Sequence, residues 1–73
     1  MRTITITQPR PISGAFEVNH QGSRFCGSTV RNAGEAAAKA LEYRFLEVGE
    51  YIIVGHDLAM QYIPDNLRTG VNK

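Results

Sequence analysis

The sequence has no tryptophan, a single cysteine and no long run of apolar residues. One cysteine, Cys26, cannot form an internal disulfide, so it predicts a reducing compartment. A membrane-spanning helix needs about 20 apolar residues, and no stretch of the chain approaches that length. The spacings CxxC and HxxxH are also missing, and His20, Cys26, His56 and Asp57 are too scattered to predict a zinc site. We therefore expect no disulfide, no membrane span, no metal and no cofactor.

The chain also lacks a strong excess of one charge. Its formal net charge is +1, with 42% hydrophobic and 21% charged residues, which is typical of a globular domain. Because of this balance, we do not expect the protein to bind nucleic acid directly through its overall charge. The 73 residues predict one domain covering residues 1–73, with residues 66–73 as a loose C-terminal tail.

The clearest element is a helix that is predicted to run from Asn32 to Gly49. Asn32 is a favourable N-cap, and Glu35 three residues later completes a capping-box pattern. Alanines fill the first turns, and Gly49 is placed to end the helix. Three- and four-residue spacing gives one apolar face: Ala33, Ala37, Ala40, Leu41, Phe45 and Val48. We expect this face to pack on a sheet, with Phe45 buried between helix and sheet.

The rest of the sequence predicts short strands. Residues 2–8 alternate threonine with isoleucine, which predicts a strand with one buried face that ends before Pro9. Residues 15–20 and 23–28 predict a hairpin about Gln21-Gly22, and residues 51–54 and 59–63 predict a second one. The expected fold class is α+β: an antiparallel β-sheet with one α-helix packed across it, in the order βββαββ.

The first hairpin has a predicted register that separates its two faces. A two-residue loop would pair Val18 with Phe25 and Glu17 with Cys26, which places the apolar residues on one side. Phe16 and Phe25 could stack nucleic-acid bases, but their position beside Val18 favours a core role.

No set of residues predicts a catalytic centre. A cysteine and a histidine could form a nucleophile and a base, yet nothing supplies an oxyanion hole or a third member, and no lysine follows a glycine-rich turn. Arginine and tyrosine dominate the binding energy of many protein interfaces. The candidates for partner binding are therefore Arg24, Arg31, Tyr43, Arg44, Tyr51 and Tyr62, with the alternative that Tyr51 and Tyr62 belong to the core.

Four motifs in one order suggest a family. They are FEVN at residues 16–19, EAAAKAL at 35–41, YIIVG at 51–55 and IPDNLR at 63–68. Together they resemble small phage-encoded anti-CRISPR proteins that inhibit type I surveillance complexes. The resemblance implies a non-enzymatic inhibitor in the cytoplasm of a bacterial host, bound to a Cas complex or a Cas nuclease. Because this family has no shared catalytic motif, the resemblance assigns no residue a role.

A second hypothesis is a small nucleic-acid-binding or regulatory domain of phage or mobile-element origin. Three strands that lead into an alanine-rich helix also resemble the DNA-binding arm domains of integrases and the double-stranded RNA-binding domains. The sequence departs from both, because it lacks their lysine-rich helix start and adds a second predicted hairpin. An enzyme is the least favoured class.

Overall fold

The computed structural model describes residues 1–10, 14–21 and 27–73. These residues form one sheet with one main helix packed against it, which confirms the α+β class and the order βββαββ. The strands are β1 (Arg2–Arg10), β2 (Ala15–His20), β3 (Ser28–Val30), β4 (Gly49–Gly55) and β5 (Thr69–Asn72). The helices are α1 (Ala33–Tyr43) and the short α2 (Asp57–Met60), with a 3₁₀ turn at Asp65–Leu67.

The sheet is mixed rather than wholly antiparallel. Its strand order is β3-β2-β1-β4-β5, and the central pair β1–β4 is parallel, with Ile4 opposite Ile53. The other three pairs are antiparallel. The parallel pair follows from the path of the chain. Strands β1 and β3 run in the same direction and end at the same end of the sheet. Helix α1 then returns across the sheet, so β4 begins at the end where β1 begins and runs parallel to it.

The core lies between one face of the sheet and helix α1. The alternation predicted for the first strand holds, since Ile4 and Ile6 are fully buried. They face Ala36, Ala37 and Ala40, whose small side chains let the helix come close to the sheet. Strand β1 continues through Pro9 to Arg10, with an irregularity in its pairing after Thr7, so it is longer than predicted.

The end of helix α1 differs from the prediction. The helix ends at Tyr43 rather than near Gly49, and Arg44 is its C-cap. Phe45 and Val48 therefore leave the helical face and are 63% and 72% exposed. The prediction that Phe45 fills the core was wrong, and Tyr43 takes that position instead.

The register of the first hairpin was also wrong. Strand β2 pairs with β3 so that Val18 lies opposite Ser28 and Glu17 opposite Thr29. The expected partners Phe25 and Cys26 lie outside the described residues. The observed register needs a longer connection than the predicted two-residue turn at Gln21-Gly22, so the alternation of apolar residues did not determine the loop length.

The predicted second hairpin is a strand followed by a helix. His56 caps α2 through its Nδ1, which accepts the Leu58 backbone N–H at 3.2 Å. Ala59 and Ile63 are both buried, but Gln61 between them is exposed, which does not fit the alternation of a strand. Residues 69–72, predicted as part of a loose tail, form strand β5 at one edge of the sheet.

Gly55 ends strand β4 at a point where no side chain fits. Its φ is +149°, and a Cβ there would lie 2.2 Å from the Ile6 carbonyl oxygen. The next residue, His56, donates its backbone N–H to that same oxygen at 2.9 Å. The close approach of the two strands therefore requires glycine, and it turns the chain toward α2.

Candidate interaction surfaces

The six residues predicted to bind a partner are distributed over different parts of the molecule. Tyr43 and Tyr51 are buried, at 8% and 7% exposure, so neither is available to a partner. Arg31 and Tyr62 lie together in a groove at the start of α1, and Arg44 lies at the other end of that helix. Arg24 lies outside the described residues.

The groove is an open depression of about 620 Å³ between the start of α1 and the end of α2. Its lining residues are Gln8, Gly14, Phe16, Arg31, Asn32, Ala33, Gly34, Leu58, Gln61 and Tyr62. Tyr62 is 62% exposed, although it is a large aromatic residue, and Leu58 is half-exposed. The groove therefore offers apolar surface at its walls, with Phe16 as its buried floor.

The groove is held in shape by the local sequence. The Asn32 side chain accepts the Glu35 backbone N–H at 2.9 Å, and Glu35 in turn accepts the Arg31 backbone N–H at 3.0 Å. These two bonds fix the backbone beside the groove. The Asn32 bond is the predicted N-cap, whereas Glu35 reaches the N–H of the residue before the cap and not that of the cap itself. On the other side, the Phe16 ring meets His56 edge to face, with ring centroids 5.4 Å apart.

The second surface is the stretch of residues 44–48, which we call the apolar turn. Phe45, Leu46 and Val48 are exposed apolar side chains within four consecutive positions. The Arg44 guanidinium carbon lies 4.3 Å from the centre of the Phe45 ring, a distance at which a cation and an aromatic ring attract each other. Exposed apolar clusters of this kind are characteristic of interaction sites.

Polar contacts from distant strands hold the apolar turn in place. The Arg2 Nη2 donates to the Gly49 carbonyl at 3.1 Å, and the Arg2 Nη1 lies 3.8 Å from the Glu47 carboxylate. From strand β5, the Asn72 side-chain amide donates to the Glu47 carbonyl at 2.7 Å. Because these contacts hold the backbone and Glu47 toward the sheet, Phe45 and Val48 face outward.

A buried polar cluster lies beneath this end of the helix. His20 is only 3% exposed, and neither of its ring nitrogens has a hydrogen-bond partner among the described residues. Its ring stacks on Tyr43, whose hydroxyl shares a hydrogen bond with the Ser28 hydroxyl. Burial lowers the pKa of His20, the nearby Arg2 charge lowers it further, and Glu47 partly opposes them. The structure therefore favours a neutral imidazole here.

The face of the sheet that is turned away from α1 carries few charges. Threonines of β1 alternate there with the buried isoleucines, and Glu17 and Glu50 are the acidic residues of this face. The register places Arg10 opposite Ala15 on this face, and no other described strand position of the face holds Lys or Arg. The described part of this face therefore has one arginine position against two acidic residues, which is less positive charge than phosphate binding requires.

Sequence reasoning missed the apolar turn because it assigned Phe45 and Val48 to the buried helical face. The chain holds only a weak signal for the true helix end, since residues 44–48 contain no glycine or proline. It also missed Arg68, which anchors the segment after α2. The Arg68 side chain donates to the carbonyls of Met60 at 2.9 Å and Ile63 at 3.2 Å, and it pairs with Asp65.

Neither a membrane segment nor a metal centre is found in the described ranges. No helix there is long and apolar enough to cross a membrane. No three His, Cys, Asp or Glu residues of those ranges lie close enough together to hold a metal ion.

No protein-family model matches the sequence, and no curated protein matches it.

Proposed function

We propose that the protein is a non-enzymatic inhibitor that occupies a surface of a type I CRISPR-Cas surveillance complex or of its nuclease. The class of partner comes from the four ordered motifs that resemble phage anti-CRISPR proteins. The observation that carries the binding mechanism is the apolar turn, which exposes Phe45 and Val48 on a backbone fixed by polar contacts.

The apolar turn has the properties of an interface centre. Aromatic and arginine side chains contribute most of the energy in many interfaces, and Arg44 is already stacked on Phe45. A side chain that is held in place before binding loses less conformational entropy when the partner arrives. A standard interface covers about 800 Å² of each partner. That area is roughly a sixth of the 4613 Å² surface of the protein. One end of the molecule therefore has enough surface for an interface of standard size.

The distribution of charge favours a protein partner over a nucleic acid. Nucleic-acid binding depends on several cations that contact phosphates. Among the described strand positions of the uncovered face, Glu17 and Glu50 stand against Arg10 alone. The apolar turn has one arginine, whose guanidinium already lies over Phe45.

A titration of purified surveillance complex tests the proposal. We expect interference activity to fall in proportion to added protein and to stop falling at one inhibitor per binding site. Phe45→Ala should weaken binding by more than tenfold, since a central aromatic residue contributes more than about 1.4 kcal/mol. The control is Val54→Ala, which removes an exposed apolar side chain from strand β4, outside both the groove and the apolar turn, and should leave the affinity for the complex unchanged.

The same experiment has two outcomes that contradict the proposal. Lasting inactivation at far below one inhibitor per complex, with no inhibitor retained on the re-isolated complex, indicates enzymatic modification. Binding to plain duplex DNA or RNA that weakens steeply between two salt concentrations indicates the nucleic-acid-binding hypothesis.

A further inference from the structure

We infer that the groove at the start of α1 binds an extended segment of the protein partner in which an apolar side chain lies next to a carboxylate. This inference rests on the proposed function, because it specifies a second contact between the protein and its partner. It concerns residues at the opposite end of α1 from the apolar turn.

The apolar part of this segment is specified by the walls of the groove. Tyr62 and Leu58 expose apolar surface to solvent, and Phe16 lies below them. The volume of about 620 Å³ exceeds that of any single side chain and falls in the range of pockets that bind small ligands. An apolar side chain that enters between Tyr62 and Leu58 would remove surface of both residues from water.

The carboxylate is specified by the charge of the lining. Arg31 is the sole charged residue among the ten that line the groove, and its guanidinium makes no ion pair or hydrogen bond within the described part of the chain. The nearest acidic residue along the chain, Glu35, directs its Oε2 to the Arg31 backbone N–H instead. An incoming carboxylate would therefore meet one positive charge and no competing negative charge in the lining.

The other polar lining residues favour a peptide over a nucleic acid. Gln8, Asn32 and Gln61 are amides that can donate to and accept from a peptide backbone. A single arginine is too little positive charge to hold a phosphate backbone. An extended protein segment satisfies both the amides and the apolar walls.

Two short peptides test this chemistry directly, without the CRISPR complex. The probes are Ac-GSLDSG-NH₂ and Ac-GSDLSG-NH₂, each with a control in which asparagine replaces aspartate. Titrated into ¹⁵N-labelled protein, at least one aspartate peptide should shift the backbone amide signals of Gly34, Leu58 and Tyr62 in a saturable way. Its asparagine control should bind about two- to fivefold more weakly, which is the usual contribution of an exposed ion pair.

Arg31→Gln identifies the source of the preference for aspartate. In this variant the aspartate and asparagine peptides should bind equally, which isolates the charge pair in a double-mutant cycle. Arg44→Gln is the matched control, because it removes the same charge from the other end of α1 and should retain the preference.

Gly34→Ala tests the groove without damage to the fold. An added Cβ would lie 3.9 Å from the Tyr62 ring and 3.4 Å from the Asn32 side-chain oxygen, so the methyl group fits beside the helix start. The variant should melt no lower than the parent, because alanine is a better helix former than glycine. Gly34→Leu, with a longer side chain beside Tyr62, should reduce peptide binding several-fold more than Gly34→Ala does.

The outcomes separate this inference from the proposed function. Saturable shifts confined to residues 44–48, or no saturable shift up to the solubility limit of all four peptides, overturn the groove inference. If the peptides bind as expected but the parent protein binds no purified complex, the groove inference holds and the proposed function fails. If the complex is bound and Arg31→Gln and Gly34→Leu bind it as tightly as the parent does, the groove is not a contact with that complex and the inference is overturned.

Discussion

The two ends of helix α1 are built in different ways. At its start, hydrogen bonds between near neighbours in the chain fix the backbone, with Asn32 and Glu35 as the acceptors. At its end, local backbone bonds join residues 45 and 46 to the last turn, but the contacts that hold the following residues 47 and 49 come from the distant Arg2 and Asn72. The start of α1 is therefore held by local bonds, whereas the turn after its end also depends on contacts that exist only in the folded sheet.

This difference also gives the two ends different surfaces. The start of α1 borders a concave groove with one cation, and its end carries a convex apolar turn. Eleven helical residues separate the two surfaces by about 16 Å, at about 1.5 Å per residue. A partner that contacts both would have to extend along the helix, so the two surfaces can be tested independently.

The largest expected effect comes from replacing phenylalanine with alanine near each end of α1. Phe16→Ala removes a buried ring from the floor of the groove and should lower the free energy of unfolding by about 3–5 kcal/mol. Phe45→Ala removes an exposed ring from the apolar turn and should change it by less than about 0.5 kcal/mol. Urea denaturation monitored by circular dichroism measures both values.

Equal losses in the two phenylalanine variants would contradict the observed burial. In particular, a loss of several kcal/mol for Phe45→Ala would show that the Phe45 ring is buried in the core, as the sequence pattern predicted.

A smaller effect is expected from the hydrogen bonds at the helix ends. Asn32→Ala removes the N-cap acceptor of α1 and should cost about 1 kcal/mol. Arg44→Ala at the C-cap should cost less than about 0.5 kcal/mol, because its side chain makes no capping bond. Thermal and urea denaturation of both variants check the ranking, and a greater loss for Arg44→Ala would show that the helix end is also fixed by a local side chain.

The smallest effect concerns pH and the buried His20. Burial and the Arg2 charge lower the pKa of this imidazole below its ordinary value of 6.5 in the folded protein, despite the opposing effect of Glu47. The unfolded chain therefore binds the proton first, and the free energy of unfolding should decline as the pH falls through about 6.5. His20→Phe, which keeps a ring against Tyr43, should flatten the pH dependence between about pH 7.5 and the acidic range where carboxylates begin to titrate.

The control for the pH experiment is His56→Asn, which keeps a side-chain acceptor at the start of α2. The part of the slope that His20 causes should persist in this variant. A His20→Phe variant with an unchanged slope would show that the buried imidazole is not the group responsible.

Several errors of the sequence prediction share one physical origin. The pattern at residues 59–63 predicted a strand, whereas Ala59 is buried on α2 and Ile63 is buried in the turn that follows it. Short apolar stretches fit both periods, and the structure formed here depends on the His56 cap and on contacts between α1 and α2. The two strands of the first hairpin pair as predicted, but the register of β2 against β3 was wrong, because the alternation of residues does not specify the length of the connecting loop.

The candidate site was predicted only in part. Residue type alone selected Arg31, Arg44 and Tyr62, which the structure leaves at the surface, but it also selected Tyr43 and Tyr51, which are buried. A tyrosine suits both a core and an interface, because it has an apolar ring and a polar hydroxyl. Here partly buried groups bond to those hydroxyls: Ser28 for Tyr43 and the Leu67 carbonyl for Tyr51.

The sequence by itself determined the features that depend on neighbours a few residues apart. These are the α+β class, the buried isoleucines of β1 and the capped, alanine-rich start of α1, because local hydrogen bonds and periodicity encode them. Only the tertiary structure decided where α1 ends, that β4 runs parallel to β1, and that residues 69–72 complete the sheet. Those features depend on Arg2, Asn72 and Ile53 meeting residues far away in the chain, and no local pattern carries that information.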